Sequence, residues 1–142
     1  MRTVRQLLAG KAPEIFAVAP GDSVYAAIRL MAEKGVGAVL VMEGPRLAGI
    51  VSERDYARKV VLHDKSSRDT PVRDIMTAKV IAVGPDFTVA HCMQVVTEHR
   101  IRHLPVLEGD SVVGVISIGD LVKAVIEEQQ AELDQLQRYI VG

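Results

Sequence analysis

One unit occurs twice in this 142-residue chain. Residues 18–56 align without a gap on residues 83–121, so that Pro20 falls on Pro85 and Asp55 on Asp120, a constant spacing of 65. Gly49-Ile50-Val51-Ser52-Glu53-Arg54-Asp55 falls on Gly114-Val115-Ile116-Ser117-Ile118-Gly119-Asp120, Val24 on Val89, and Glu43-Gly44 on Glu108-Gly109. Aliphatic positions that differ still match in kind, as Ile28 with Met93 and Val39 with Leu104. A duplicated supersecondary unit buries its apolar face against its neighbour. The repeat therefore predicts a pseudo-twofold fold with paired clefts.

Periodicity within each copy predicts strand, helix, strand, strand, helix. Residues 3–9 read first as a short helix with Val4, Leu7 and Leu8 on one face, closed by Gly10. Residues 15–18 form a strand, Ser23 caps a helix carrying Val24, Ala27, Ile28 and Met31, and Gly35 ends it. Residues 38–42 and 47–51 are strands joined by a turn, and Ser52 opens a helix over about 53–62. Thr70 is expected to cap one helical turn over 71–76 with Pro71 at its first position. The second copy then runs strand 80–83, helix 88–99, strand 103–107 and strand 111–117. The divisions are repeat 1 over 10–62, linker 63–71, repeat 2 over 72–128 and a helical extension over 129–142. The last helix outruns its counterpart. Ile126, Gln129, Leu133, Leu136 and Ile140 are spaced 3, 4, 3, 4 along it, a seam suited to self-association.

Composition bounds the function classes. Hydrophobic residues make up 49% and charged residues 25%, the balance of a globular domain. With 17 basic and 18 acidic residues, the net charge of −1 gives no broad positive field, so nucleic acid is not an expected partner. Cys92 is the single cysteine, which fits a reducing cytoplasm. No stretch approaches the ~18 apolar residues of a membrane span, and the N-terminus does not read as a signal peptide.

The unit ending in Gly-h-h-Ser-x-x-Asp (h aliphatic) resembles the CBS domain, the cystathionine-β-synthase domain. Asp74-Ile75-Met76-Thr77 and Arg102-His103-Leu104-Pro105-Val106 are similar to signatures of that family. CBS domains come in tandem pairs, and the chain resembles stand-alone bacterial CBS-pair proteins. The resemblance implies an α/β (α+β) fold of two β-α-β-β-α units packed as one pair. It also implies a sensor that binds AMP, ADP, ATP, NAD or S-adenosylmethionine and regulates a protein partner or its own assembly, commonly as a two-fold dimer. It implies no catalysis; no metal is expected, from the spacing of the histidines and Cys92.

The residues supply a parallel case. Ser52 and Ser117 stand at strand-to-helix junctions, where unpaired amides and the helix dipole stabilise a phosphate. Asp55 and Asp120 lie on the first turns, where a carboxylate can accept both hydroxyls of a ribose. Gly119 permits close approach. By spacing alone, ordinary capping and ligand binding both remain open; the duplication and the resemblance favour binding. By the family pattern, adenine would lie against Thr77, Lys79 and Val80 with Leu104 and Pro105. In the first copy it would lie against residues 12–15 with Ala38, Val39 and Leu40. Arg54, Arg102 and His103 are candidates to approach phosphates. Arg102-His103-Leu104-Pro105 replaces Gly37-Ala38-Val39-Leu40 of the first copy, which makes the second copy the expected tighter site.

Other signals carry less. Gly35-Val36-Gly37 lacks the third glycine of a dinucleotide fingerprint and leads into a strand. His91, Cys92, His99 and His103 lack the spacing of a metal site, and no third group orients a Cys–His pair. An enzymatic role finds no base, nucleophile or metal-carboxylate set. The main competitor to a sensor is a dimerisation scaffold with degenerate sites and a partner-recruiting last helix.

Overall fold

Ten regular elements follow the repeated pattern in a computed structural model that describes residues 2–11 and 14–141. The helices are α1 (Val4–Ala9), α2 (Val24–Lys34), α3 (Glu53–Lys59), α4 (Val89–His99) and α5 (Ile118–Val141). The strands are β1 (Ala17–Val18), β2 (Ala38–Glu43), β3 (Arg46–Ser52), β4 (His103–Glu108) and β5 (Ser111–Ser117). The chain divides into two compact units. The first-repeat unit comprises residues 14–81 with 109–113, and the second-repeat unit comprises 1–13, 82–108 and 114–142.

In the first-repeat unit β1 runs parallel to β2, with Ala17 opposite Leu40 and Val18 opposite Val41. β2 pairs antiparallel with β3, with Leu40 opposite Ile50 and Val41 opposite Gly49. One register shift between Val41 and Met42 accommodates Ala48. Residues 38–41 of β2 are buried throughout, as a strand covered on both faces requires. Val24, Ala27 and Met31 from α2 pack with Val39, Val41 and Val51 and with Val60, Val72 and Ile75. No tryptophan contributes, and aliphatic side chains fill this core.

Ser23 Oγ accepts the Ala26 N–H at 3.1 Å to start α2, and Thr88 Oγ1 accepts that of His91 at 3.1 Å to start α4. α2 ends on Gly35 in the left-handed region at φ 66°, whereas α4 ends on Arg100 at φ 53°, where a side chain must tolerate that conformation.

Several boundaries differ from expectation. α3 stops at Lys59 and is followed by a 3-10 turn, Val61–His63, in place of helix to 62. The adjacent β-branched Val60 and Val61 do not favour continuation. Thr70 does not cap the turn Val72–Asp74: its hydroxyl donates to the Ser66 carbonyl at 2.7 Å, and Pro71 occupies the cap position. The strand expected over 80–83 reduces to one parallel bridge, Val83 with Val106. In the first repeat the Leu40 N–H donates to Phe16 O at 3.0 Å. The matching residue in the second repeat is Pro105, which has no N–H to donate, so the strand cannot extend there.

The segments preceding the repeats dock in a way the 65-residue spacing does not reveal. In the first-repeat unit Val72 N–H donates to Asp22 O at 2.8 Å, Arg73 to Pro20 O at 3.0 Å, and Val24 to Thr70 O at 2.9 Å. In the second-repeat unit Val4 N–H donates to Phe87 O at 2.8 Å, Arg5 to Pro85 O at 2.8 Å, and Val89 to Arg2 O at 2.9 Å. Val4 thus matches Val72, a spacing of 68, and both are fully buried. Each repeat is completed by the segment that precedes the other. α1 therefore belongs with the second repeat, although the whole first repeat lies between them in sequence.

Candidate functional site: two Ser-x-x-Asp corners

In the first-repeat unit β3 delivers Ser52 to the start of α3. The Ser52 N–H donates to Asp55 Oδ2 at 2.9 Å, its hydroxyl donates to the same oxygen at 3.1 Å, and Asp55 N–H donates to Ser52 Oγ at 3.2 Å. In the second-repeat unit Ser117 N–H donates to Asp120 Oδ2 at 2.8 Å, and Asp120 N–H donates to Ser117 Oγ at 3.1 Å. Both corners are reciprocal capping boxes. The acidic residue of each pair is thereby fixed in orientation, half-buried, with its second oxygen outside the box.

A lysine closes each corner. Lys59 Nζ lies 3.2 Å from Asp55 Oδ1 and donates to the Ile75 carbonyl at 2.9 Å. Lys11 Nζ donates to Asp120 Oδ2 at 2.6 Å and to the Val115 carbonyl at 2.8 Å. Burial works to raise the carboxyl pKa of Asp120, but the Lys11 ammonium and the Ser117 donors outweigh it and hold the group below its ordinary value. Neither lysine was singled out from the sequence. The signal for Lys11 was present: Ala9-Gly10-Lys11 matches Thr77-Ala78-Lys79 at the spacing of 68.

The other predicted residues distribute between the units. Thr77 bridges β3, donating its N–H to Ile50 O at 2.9 Å and accepting that of Ile50 at 3.1 Å, and it belongs with Ser52 and Asp55. Lys79 is exposed, Val80 is half-buried, and both belong to the first-repeat unit. Arg54 is half-buried on α3. Leu104 and Pro105 are buried in β4 of the second-repeat unit. The expected grouping of Thr77, Lys79 and Val80 with Leu104 and Pro105 thus draws on both units. His103 is half-buried at the start of β4, and Arg102 is exposed, its carbonyl accepting the Ile118 N–H at 2.8 Å. Gly119 is exposed, and a Cβ there would meet only Ser117 Oγ at 3.5 Å, so its backbone does not demand glycine. Of the first-copy positions 12–15, Ala12 and Pro13 lie outside the described residues.

The close approaches fall instead at the glycines that begin the repeated motif. A Cβ on Gly49 would lie 2.6 Å from Met76 Sδ and 2.8 Å from the Thr77 carbonyl. A Cβ on Gly114 would lie 2.6 Å from Leu8 Cδ2. These glycines admit the docked segments against β3 and β5.

Elsewhere, a cavity of about 480 Å³ opens between α2 and α3, bordered by Met31, Gly35, Val36, Gly37, Glu53 and Tyr56, and includes none of the predicted site residues. Burial pushes the Cys92 thiol pKa up. Among the described residues no group of three His, Cys, Asp or Glu is placed to hold a metal, and no helix is long and apolar enough to cross a membrane.

The CBS domain profile matches residues 4–62 and again 72–127. The chain belongs to the CBS-domain family. It is 45% identical over 126 residues to the CBS domain-containing protein CBSX3, mitochondrial, of Arabidopsis thaliana; the match covers 85% of this chain and 61% of that protein's length. A solved structure of a protein with CBS domains from Burkholderia ambifaria MC40-6 is 56% identical with a TM-score of 0.87, covering 90% of this chain and 96% of that one. The CBS domain pair of protein MJ0100, solved in complex with 5′-methylthioadenosine and S-adenosyl-L-methionine, has a TM-score of 0.78 over 90% of this chain and 98% of that chain. At 19% identity it is alike in fold alone. The CBS match extends over α1, in keeping with that helix completing the second-repeat unit.

Proposed function

We propose that this CBS pair is a regulatory module that binds an adenosine-containing nucleotide, AMP, ADP, ATP or NAD(H), and passes its occupancy to a protein partner or to its own assembly. Stand-alone CBS-domain proteins are regulatory rather than catalytic, and the reading follows that pattern. The observation that carries it is the twice-built Ser-x-x-Asp corner, in which an oriented carboxylate stands beside helix-start amides. Asp55 and Asp120 accept the ribose hydroxyls. Ser117 and the amides that open α5 favour phosphate, and Arg54, Arg102 and His103 are the candidates to approach a phosphate. Thr77, Lys79 and Val80, and Leu104 and Pro105, offer backbone and apolar surface for adenine. The adenosine compounds held by MJ0100 support the ligand class through the shared fold. The single buried Cys92 suits a reducing compartment such as the cytoplasm.

The test is titration calorimetry of the Asp55→Ala, Asp120→Ala double variant with AMP and NAD. A folded variant that has lost binding supports the assignment; unchanged affinity overturns it.

A second reading, an assembly scaffold, is favoured by α5. Ile126, Leu133, Leu136 and Ile140 are all exposed along it, at 60%, 54%, 59% and 81%. Such a stripe suits a second copy of the helix. Deleting residues 127–142 separates the roles: loss of assembly in light scattering with nucleotide binding intact places association in this helix alone.

A further inference from the structure

We propose that the N-terminal segment controls the Ser117–Asp120 corner through Lys11, which acts as a latch that ligand must displace. The proposal deepens the ribose reading of Asp120 and depends on it. A carboxylate oxygen offers about two lone-pair positions. Those of Asp120 Oδ2 are taken by the Ser117 N–H at 2.8 Å and by Lys11 Nζ at 2.6 Å. A ribose presents two hydroxyl donors; Asp120 Oδ1 can accept one, and the other competes with the Lys11 ammonium for Oδ2. The second bond of Lys11, to the Val115 carbonyl at 2.8 Å, holds the ammonium in the corner.

The latch is delivered from an anchored element. Val4 is fully buried, Leu8 packs into the space left by Gly114, and the N–H groups of Val4 and Arg5 donate to Phe87 and Pro85. Thr3 and Gln6 close a capping box at the start of α1. Lys11 follows α1 by two residues and is therefore presented to the corner at high effective concentration. Ligand entry at Asp120 releases the end of this segment, and whatever fixes the segment weakens ligand binding there.

The first repeat lacks this coupling. Asp55 pairs with Lys59, four residues along the same helix, and the counterpart of Lys59 in the second repeat is Ala124. Lys79, the counterpart of Lys11, is exposed, and Asp55 is met by Lys59 instead. The two corners thus reach the same charge balance by different routes, and only one route runs through the N-terminal segment.

Adenosine is the probe, because it carries ribose without phosphate and so excludes any attraction of phosphate to Lys11. Titration calorimetry would use the full chain with Asp55→Ala to silence the first corner, comparing Lys11 with Lys11→Met and Lys11→Arg. Removing a half-exposed ion-pair competitor is expected to tighten adenosine binding about two- to fivefold in Lys11→Met, whereas Lys11→Arg stays within about twofold of the parent. Equal or weaker binding by Lys11→Met, with binding still abolished by Asp120→Ala, overturns the latch and leaves the ribose reading standing. Binding that is insensitive to Asp120→Ala, or absent from every variant, overturns both.

Discussion

In the first-repeat unit, the strand ahead of the hairpin pairs in parallel over two residues; in the second-repeat unit it touches its partner at Val83 alone. The flanking turns show the opposite behaviour, since every backbone bond that docks residues 70–73 has a counterpart docking residues 2–5. What is shared is what closes the core: Val4 and Val72, the paired caps Ser23 and Thr88, and the close-approach glycines Gly49 in β3 and Gly114 in β5. What differs includes Pro105 for Leu40 in the strands and, on the helices that carry the corners, Ala124 for Lys59 and Gly119 for Arg54. Duplication has kept the packing and let the polar surroundings diverge, so that one scaffold carries two unequal Ser-x-x-Asp corners.

The largest break in this comparison is expected at the two close-approach glycines. Gly49→Ala forces a Cβ onto the Thr77 carbonyl, which is backbone bonded to Ile50 and cannot step aside. Gly114→Ala meets only the end of the flexible Leu8 side chain. Denaturant unfolding should show Gly49→Ala costing about 2–3 kcal/mol and Gly114→Ala about 1 kcal/mol or less, within the range for overpacking. Equal costs would mean that the docked segments are not held as described.

Pro105→Leu sharpens the comparison at intermediate scale. It restores the donor present at Leu40, and the residue 105 amide should become protected in hydrogen exchange as the Leu40 amide is. Net stability should change by no more than about 1 kcal/mol, the usual contribution of one bond. A rapidly exchanging residue 105 amide would show that the missing N–H does not set the strand's length.

The smallest effect concerns acid. Because the folded-state pKa of Asp120 is lowered, its contribution to stability is present above the ordinary carboxylate range and is lost as pH falls through the lower folded value. Asp120→Asn should therefore be less stable than the parent at neutral pH, with the difference closing at acid pH. A difference that persists unchanged at low pH would contradict the ion pair with Lys11.

Much of this was legible in the chain. The repeat, the caps Ser23 and Ser52, the stop at Gly35 and the long last helix follow from short-range chemistry that a sequence displays directly. The docking of α1 was not, because three residues, Ala12, Pro13 and Glu14, shift the spacing from 65 to 68 before the first repeat. The shortened strand at Val83 was hidden for another reason: the proline that limits it lies on a different strand, and only pairing brings the two together. Lys11 was missed as a site residue for the same cause, since 109 positions separate it from Asp120.

The central claim, that these corners serve an adenosine ligand, is tested most directly by thermal unfolding of ligand-free protein with AMP, ADP, ATP, NAD, NADH and S-adenosylmethionine, with GMP as control. A ligand at about 100 times its dissociation constant adds ~2.7 kcal/mol to the native state, a readily measured rise in Tm. The account predicts such a rise with at least one adenine compound, no rise with GMP, and loss of the rise in the Asp55→Ala, Asp120→Ala variant. No shift with any adenine compound would contradict it and leave assembly through α5 as the function to pursue.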